Sequence, residues 1–280
     1  MTDKNIVVLG GTGKTGRRVV NGLRERGAKV RAASRSGEVR FDWDNMDTWE
    51  PALAGAEAAY IVDMQDKPGA SDAEGLIRDL SKQAVYLGVR RLVLLQARVT
   101  EDVGGKSLIA GERAVQESGA EWTVLRPNWF AQNFSEGVLL DGIVAGELSL
   151  PAGSGREPFV DVEDIAAVAT AALLDDGHAG QVYELSGPRA LSLEEAVDEI
   201  ARATGRSLRY VPVSHQDYVA ELVSFGVSED YAVFVADLVA QIRDNKNATP
   251  TDTVERVLGR APRDFSAFVR DVAPTGVWNG

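Results

Sequence analysis

Gly10, Gly13 and Gly16 stand at intervals of three directly after the apolar run at residues 6–9, and Lys14 lies among them. A short strand that enters a glycine turn and then opens a helix makes a cradle for pyrophosphate. Glycines let the backbone turn tightly and approach the phosphates, while the helix start offers unpaired N–H groups at the positive end of its dipole. The loop residues Gly10, Thr12, Gly13, Lys14, Thr15 and Gly16 are therefore the candidate binding residues. Gly11, Gly13 and Gly16 also fit the G-x-G-x-x-G spacing. Gly13-Lys14-Thr15 resembles the end of a triphosphate-binding loop, but that motif needs a glycine at position 8, where Val8 stands. The expected ligand is a dinucleotide.

The next strand decides which one. Dinucleotide folds select NAD with an acidic residue about 20 positions past the glycine loop, and NADP with an arginine nearby. No carboxylate stands between Lys29 and Gly37, whereas Ser34 and Arg35 sit where a 2′-phosphate would lie. A guanidinium fork suits phosphate, and Lys14 adds charge, so NADP(H) is the expected cofactor. Asp42 and Trp43 either border the adenine or form an ordinary strand end.

A hydride carrier usually works with an acid. The residues four beyond Tyr60, Tyr86, Tyr183, Tyr210, Tyr218 and Tyr231 are Met64, Arg90, Gly187, Ser214, Leu222 and Val235. None is lysine, so the Tyr-x-x-x-Lys device for protonating a carbonyl is absent. A cationic iminium or an electron-poor quinone accepts hydride without an acid and needs only positioning and exclusion of water. Asn128, Trp129, Phe130, Asn133 and Phe134, on the loop after the sixth expected strand, are the candidate substrate residues; for Trp129 and Phe134 packing of a second lobe is the alternative. Gln96, past the fifth strand, either touches cofactor ribose or substrate or simply ends the strand. Asp161 and Asp164 read as a helix cap or lobe anchor.

These residues need a frame. Strand patterns at 6–9, 30–33, 38–41, 58–62, 92–95 and 122–125 alternate with helical patterns at 17–27, 71–87 and 107–118. Alternation of this kind implies right-handed crossovers and a doubly wound parallel sheet, an α/β fold. Further strands are expected at 159–162 and 181–185 and a helix at 163–174. Ser192 and Glu195 make a capping box for the next helix. Residues 1–127 with 158–186 are expected to bind the dinucleotide; residues 128–157 with 187–280 are expected to form a smaller, mainly helical substrate lobe. Tyr218, Leu222, Phe225, Tyr231, Phe234 and Leu238 read as core packing, with a lid or a dimer face as the alternative.

Composition narrows the function. A net charge of −12 disfavours nucleic acid or an anionic membrane surface as partner. The absence of cysteine excludes disulfides and thiolate chemistry. His178, in a polar turn, reads as solvated, His215 lies far from it, and no metal site is expected. No apolar run reaches membrane-spanning length. A cytoplasmic monomer or homodimer acting on a small molecule is the expectation.

The loop at 10–16, the Arg35 strand end, Leu125-Arg126-Pro127-Asn128-Trp129-Phe130-Ala131-Gln132-Asn133-Phe134 and Phe159-Val160-Asp161-Val162-Glu163-Asp164-Ile165-Ala166 together resemble the NmrA-like group of atypical short-chain dehydrogenases. Phe41-Asp42-Trp43 with Thr48-Trp49 further resembles the ergot-alkaloid reductases and their bacterial relatives. The resemblance covers nearly the whole chain. It implies a Rossmann core and NADP(H). It implies a reductase of quinones, imines or enones, with a place in secondary metabolism, and leaves a dinucleotide-binding regulator or a non-redox cyclase or isomerase as alternatives. The quinone and phenolic-ether branches use a lysine or histidine near the helix after strand five, which by resemblance makes Lys106 the candidate catalytic residue.

Overall fold

The computed structural model describes residues 4–63, 73–98 and 106–280, with the side chains of Ala73 and of residues 106–110 left out. The first half alternates as the sequence pattern predicts, with one helix, α2, that the pattern did not show: β1 (Asn5–Leu9), α1 (Gly16–Glu25), β2 (Lys29–Ser34), β3 (Val39–Arg40), α2 (Trp49–Leu53), β4 (Ala58–Val62), α3 (Ala73–Tyr86), β5 (Arg91–Leu95), α4 (Lys106–Gln116) and β6 (Glu121–Pro127). Then come α5 (Asn133–Glu136), α6 (Leu140–Ala145), β7 (Glu147–Leu150), β8 (Arg156–Glu157), α7 (Val162–Leu174), β9 (Gln181–Leu185), β10 (Leu191–Ser192), α8 (Leu193–Thr204) and β11 (Arg209–Pro212). The helices α9 (His215–Ser224), α10 (Glu229–Arg243), α11 (Thr253–Leu258) and α12 (Phe265–Val272) follow.

Seven strands form one sheet in the order β3-β2-β1-β4-β5-β6-β9. Every adjacent pair in it is parallel. All carboxyl ends therefore emerge on one rim, where ligands bind in such sheets. Strand alternation sends Ile6, Val8, Ala58, Tyr60, Val93 and Leu95 to one face, against α1, α7 and α11. Val7, Leu9, Ala59, Ile61, Leu92 and Leu94 go to the other face, against α2, α3 and α4. Burial on both faces explains why these strands are apolar runs rather than alternating patterns.

A third apolar cluster lies apart from the sheet faces. Phe134, Phe159, Phe265, Phe268 and Trp278 anchor it, joined by residues of α6, β7, α8 and α10. Phe134 meets Phe159 and Phe265 edge-on, with centroids 5.3 Å apart in each case, a favoured aromatic geometry.

Three expectations need correction. Residues 159–162 are not a strand: one parallel bridge joins Phe130 to Val160. Asp161 then caps α7, its carboxylate accepting from the Glu163 amide, so the helix begins at Val162. Residues 128–157, without visible periodicity, hold two short helices and two short strands; β7 pairs with β11 and β8 with β10. Third, the run at 218–238 is core only in part: Tyr218 packs against the third cluster, but none of the six named residues is fully buried. Helix α9 buries none of its residues, and Phe225 is 76 % exposed. Helices α9 and α10 pack mainly on one another, and α10 buries Ala232, Ala236, Val239, Gln241 and Ile242 instead.

Candidate active site

The glycine loop is built by close approach. Gly10 adopts φ 78°, a left-handed conformation that glycine enters without strain. The amides of Gly10 and Gly11 both donate to the Ala33 carbonyl, at 2.8 and 3.0 Å, which ties the loop to β2. A Cβ on Gly16 would run into the Gly10 carbonyl, and one on Gly11 would lie 2.9 Å from Ala32 Cα. These glycines let strand, loop and helix touch. Gly13 is different: a Cβ there would meet only the Gly10 carbonyl, at 3.2 Å. Helix α1 has no acidic residue in its first turn, and Thr15 caps it without a side-chain bond. Its positive end is thus left for an external anion.

A cavity of about 360 Å³ opens beside this loop. Gly10, Thr12, Gly13, Ser34, Arg35, Asp42 and Trp43 all line it, as do Ser36, Phe41, Val62 and Asp63, which the sequence reading did not single out. Thr12 Oγ1 donates to Ser34 Oγ over 2.9 Å, joining loop and β2 at the cavity wall. Arg35 is exposed and makes no ion pair among the described residues. Trp43 packs edge-on against Phe41 and Trp49, at 5.2 and 5.9 Å. Trp49 Nε1 and the Thr48 hydroxyl donate to the Asp42 carbonyl. Asp42 Oδ1 accepts from the Asp44 amide at 3.2 Å. Lys14, Thr15 and Gly16 are not among the residues that line this cavity.

Gln96 does not reach the cavity. It is buried, and its amide donates to Glu112 Oε1 at 3.0 Å. Arg126 grips the same carboxylate with Nε at 2.6 Å and Nη2 at 2.5 Å. Gln96 is thus part of an ion-pair network between β5, α4 and β6, in keeping with the strand-end alternative. Spacing does not reveal that network, because its members come from three elements.

The loop after β6 holds two kinds of residue. Asn128, only 3 % exposed, donates to Glu157 Oε1 at 2.7 Å and accepts from Arg98 Nη1 at 2.9 Å. Phe134 is fully buried in the third cluster. Both are held inside the protein: for Asn128 this goes against the expected substrate contact, and for Phe134 it is the packing alternative. Trp129, Phe130 and Asn133 remain partly exposed. Asn133 Oδ1 accepts from Lys14 Nζ at 2.7 Å, and Lys14 Nζ stands 5.7 Å from the centre of the Phe130 ring. The structure therefore brings Lys14, Phe130 and Asn133 together at the edge of the glycine loop.

Several buried groups fix this loop. Glu157 Oε1 also accepts from the Trp129 amide at 3.0 Å. Burial pushes the Glu157 carboxyl up to about 7, against the opposing pull of these donors and of Arg98. Gln132 donates to Asp161 at 2.6 Å and accepts from the Val162 amide at 2.8 Å. Arg263 Nε binds Asp161 at 2.7 Å, and Arg260 lies 2.7 Å from Asp164, whose carboxyl burial raises. Asp161 and Asp164 thus serve as cap and anchor, as their positions suggested. Trp278 Nε1 donates to the Phe134 carbonyl at 2.7 Å. Sequence reasoning missed Glu157, Gln132 and Trp278. Each is a single polar or aromatic residue in a stretch without periodicity.

His178 is not simply solvated. Its Nδ1 lies 2.8 Å from the Tyr183 hydroxyl, and burial, with Arg91 nearby, lowers its basicity. The Lys106 side chain lies outside the described residues; its backbone opens α4. Among the described residues no cluster could hold a metal, and no helix is long and apolar enough to cross a membrane.

Residues 10–176 match the family model described as NAD(P)H-binding. An uncharacterized oxidoreductase of Bacillus subtilis, YesF, is 35% identical across 96% of this chain and 95% of its own. The chain belongs to the NmrA-like NAD(P)H-binding family of atypical short-chain dehydrogenases. The NAD(P)H azoreductase of Xenophilus azovorans is 31% identical to this family member, over 95% of this chain and 96% of its own. The solved triphenylmethane reductase of Citrobacter sp., complexed with NADP(H), superposes with a TM-score of 0.79 at 20% identity. That superposition covers 96% of this chain and 99% of the other, and shows the shared fold. This NmrA-like protein is an NAD(P)H-dependent oxidoreductase.

Proposed function

We propose that this enzyme transfers hydride from NADPH to a flat, electron-poor small molecule of the quinone, iminium or enone class. The observation that carries the cofactor choice is the end of β2. Ser34, Arg35 and Ser36 reach the cavity together, and β2 ends without a carboxylate. An acidic residue at that position would favour the free 2′-hydroxyl of NAD; a guanidinium with no ion pair among the described residues favours a 2′-phosphate. Gly13, with no side chain toward the cavity, and the uncapped start of α1 suit the pyrophosphate.

When bound, NADPH supplies the hydride. The chain's own residues hold and orient. In this proposal residues 128–157 and 187–280 form the substrate side of the enzyme. Trp129 and Phe130 offer aromatic walls, and Asn133 offers a carboxamide. Such a surface aligns a planar acceptor and excludes water. The absence of Tyr-x-x-x-Lys supports an acceptor that takes hydride without prior protonation. The azoreductase relative, whose name points to a conjugated N=N acceptor, supports the same class.

The test is NADPH and NADH oxidation with 1,4-naphthoquinone, an azo dye and a stable cyclic iminium ion. Turnover with NADPH in preference to NADH on at least one acceptor is expected. Tight NADPH binding with no oxidation by any of them would overturn the acceptor assignment.

A further inference from the structure

The segment between α10 and α11 crosses the carboxyl rim of the sheet. We propose that this connector, residues 245–251, is the outer wall of the acceptor site, and that Asn247 is the positioning residue that sets which acceptors fit. The inference rests on the acceptor reading above and adds a boundary to it.

The connector is pinned at both ends. At the end of β9, the Thr251 amide donates to Ser186 Oγ and Thr251 Oγ1 donates to the Glu184 carbonyl, both at 2.8 Å. At the other end, the Asn247 carbonyl accepts from Asn128 Nδ2, just after β6, and Asn247 Nδ2 donates to the Arg98 carbonyl, just after β5, both at 3.1 Å. Arg98 Nη1 donates in turn to Asn128 Oδ1 at 2.9 Å. Arg98, Asn128 and Asn247 thus close a ring of hydrogen bonds, in which Asn247 joins residues 149 and 119 positions away.

Local structure delivers Asn247 to this ring. Asn245 turns the chain out of α10 at φ 53°, a left-handed conformation that asparagine enters more readily than most residues. Its Oδ1 accepts from the Arg156 amide at 2.9 Å, which ties the turn to β8. A Cβ on Gly155 would run into the Ile242 carbonyl, so the chain entering β8 and the end of α10 meet at a glycine.

The ring is a wall rather than a set of ligand contacts. Asn128 is buried, and both of its N–H bonds are used, one on Glu157 and one on Asn247. Turning it toward a ligand would take a donor from the buried Glu157 carboxyl, which costs more than a new hydrogen bond returns. In a parallel sheet the ligand crevice lies outside the carboxyl ends of the strands. The nucleotide cavity takes the ends of β1, β2 and β4. The connector takes the ends of β6 and β9. The acceptor is thereby confined to the rim between them, beside β5, with Trp129 and Phe130 as aromatic walls. A wall fastened there by one carboxamide yields when that group is removed, so Asn247 limits the length of the acceptor.

Binding to the full chain saturated with NADP+ tests this without turnover. The probes are 1,4-naphthoquinone, a compact acceptor, and para-aminoazobenzene, an extended neutral one, each titrated by calorimetry. The wild type should prefer the naphthoquinone. Asn247→Ala should shift the preference toward the azo compound by about fivefold, the worth of one hydrogen bond. Asn247 does not line the nucleotide cavity, so NADP+ affinity should stay within about twofold. Asn247→Asp keeps the size of the side chain, loses the donor and should act alike. Thr251→Val releases the connector over β9, away from β5, and should leave the preference as it was. Hydrogen exchange at 245–251 should speed up in all three variants. An unchanged preference in both Asn247 variants overturns the boundary. So does an equal shift in Thr251→Val, which would make the effect a general loosening. Binding of neither probe by the wild type overturns the acceptor reading, and the boundary with it.

Discussion

Asn128 Nδ2 lies 2.7 Å from Oε1 of Glu157, which ties the residue after β6 to a buried carboxyl. The Glu157 carboxyl is pushed up to about 7 by burial. A carboxyl raised in the folded state binds its proton more tightly folded than unfolded. Its contribution to stability is full below the ordinary glutamate range and is lost as pH rises through about 7. Glu157→Gln keeps an acceptor for Asn128 and Trp129 but cannot ionise. Urea unfolding from pH 5 to pH 8 should show a decline in the wild type, at most about 3 kcal/mol, that the variant lacks. Parallel pH profiles for both proteins would refute this.

Arg35 gives a sharper ligand test. Arg35→Ala should weaken NADPH by about ten- to a hundredfold, the loss of a hydrogen bond to a charged group. NADH should change by less than about threefold, since it lacks the 2′-phosphate. Calorimetric titration of both dinucleotides decides it, and equal losses would remove Arg35 from that role.

Gly13 and Gly16 should fail in different ways. Gly16→Ala drives a methyl into the Gly10 carbonyl and should lower stability by about 2 kcal/mol or more. Gly13→Ala meets that carbonyl at 3.2 Å and should fold nearly as well as the wild type. Its methyl competes with the phosphates, so NADP+ affinity should fall. Thermal unfolding with and without NADP+ separates the two, and a Gly13→Ala protein that binds normally would contradict the cradle.

Trp278→Phe keeps most of the apolar packing and deletes one N–H. The buried Phe134 carbonyl then loses its donor, at a cost of about 1–3 kcal/mol. Denaturant titration reads the change. A variant as stable as the wild type would mean that the indole contributes packing alone.

The sheet was legible because β1, β4 and β5 are short apolar runs bounded by turn residues, and the glycine loop because its glycines are required by contacts to their own neighbours. Glycine spacing and the bare end of β2 located the cavity residues from Gly10 to Trp43. The remainder depends on contacts between distant elements. Strands β8 and β10 have two residues each, too few to show alternation. Asn128 and Phe134 look like ligand residues by type and position. Their burial is set by Glu157 and Arg98 in one case and by Phe159 and Phe265 in the other. Gln96 follows the end of β5, where its position is legible, but its partner Glu112 arrives from α4.

The bond between Trp278 and Phe134 spans 144 positions of sequence, and this separation imposes an order on biosynthesis. The cavity beside the glycine loop is lined by residues 10–63, all translated before β5. The neighbouring loop at 128–137 receives its last anchor only when residue 278 has left the ribosome. Every residue that lines the nucleotide cleft thus leaves the ribosome long before the surface beside it can be fastened, while the helices that cover the cleft's strand and helix, α7 and α11, come between the two.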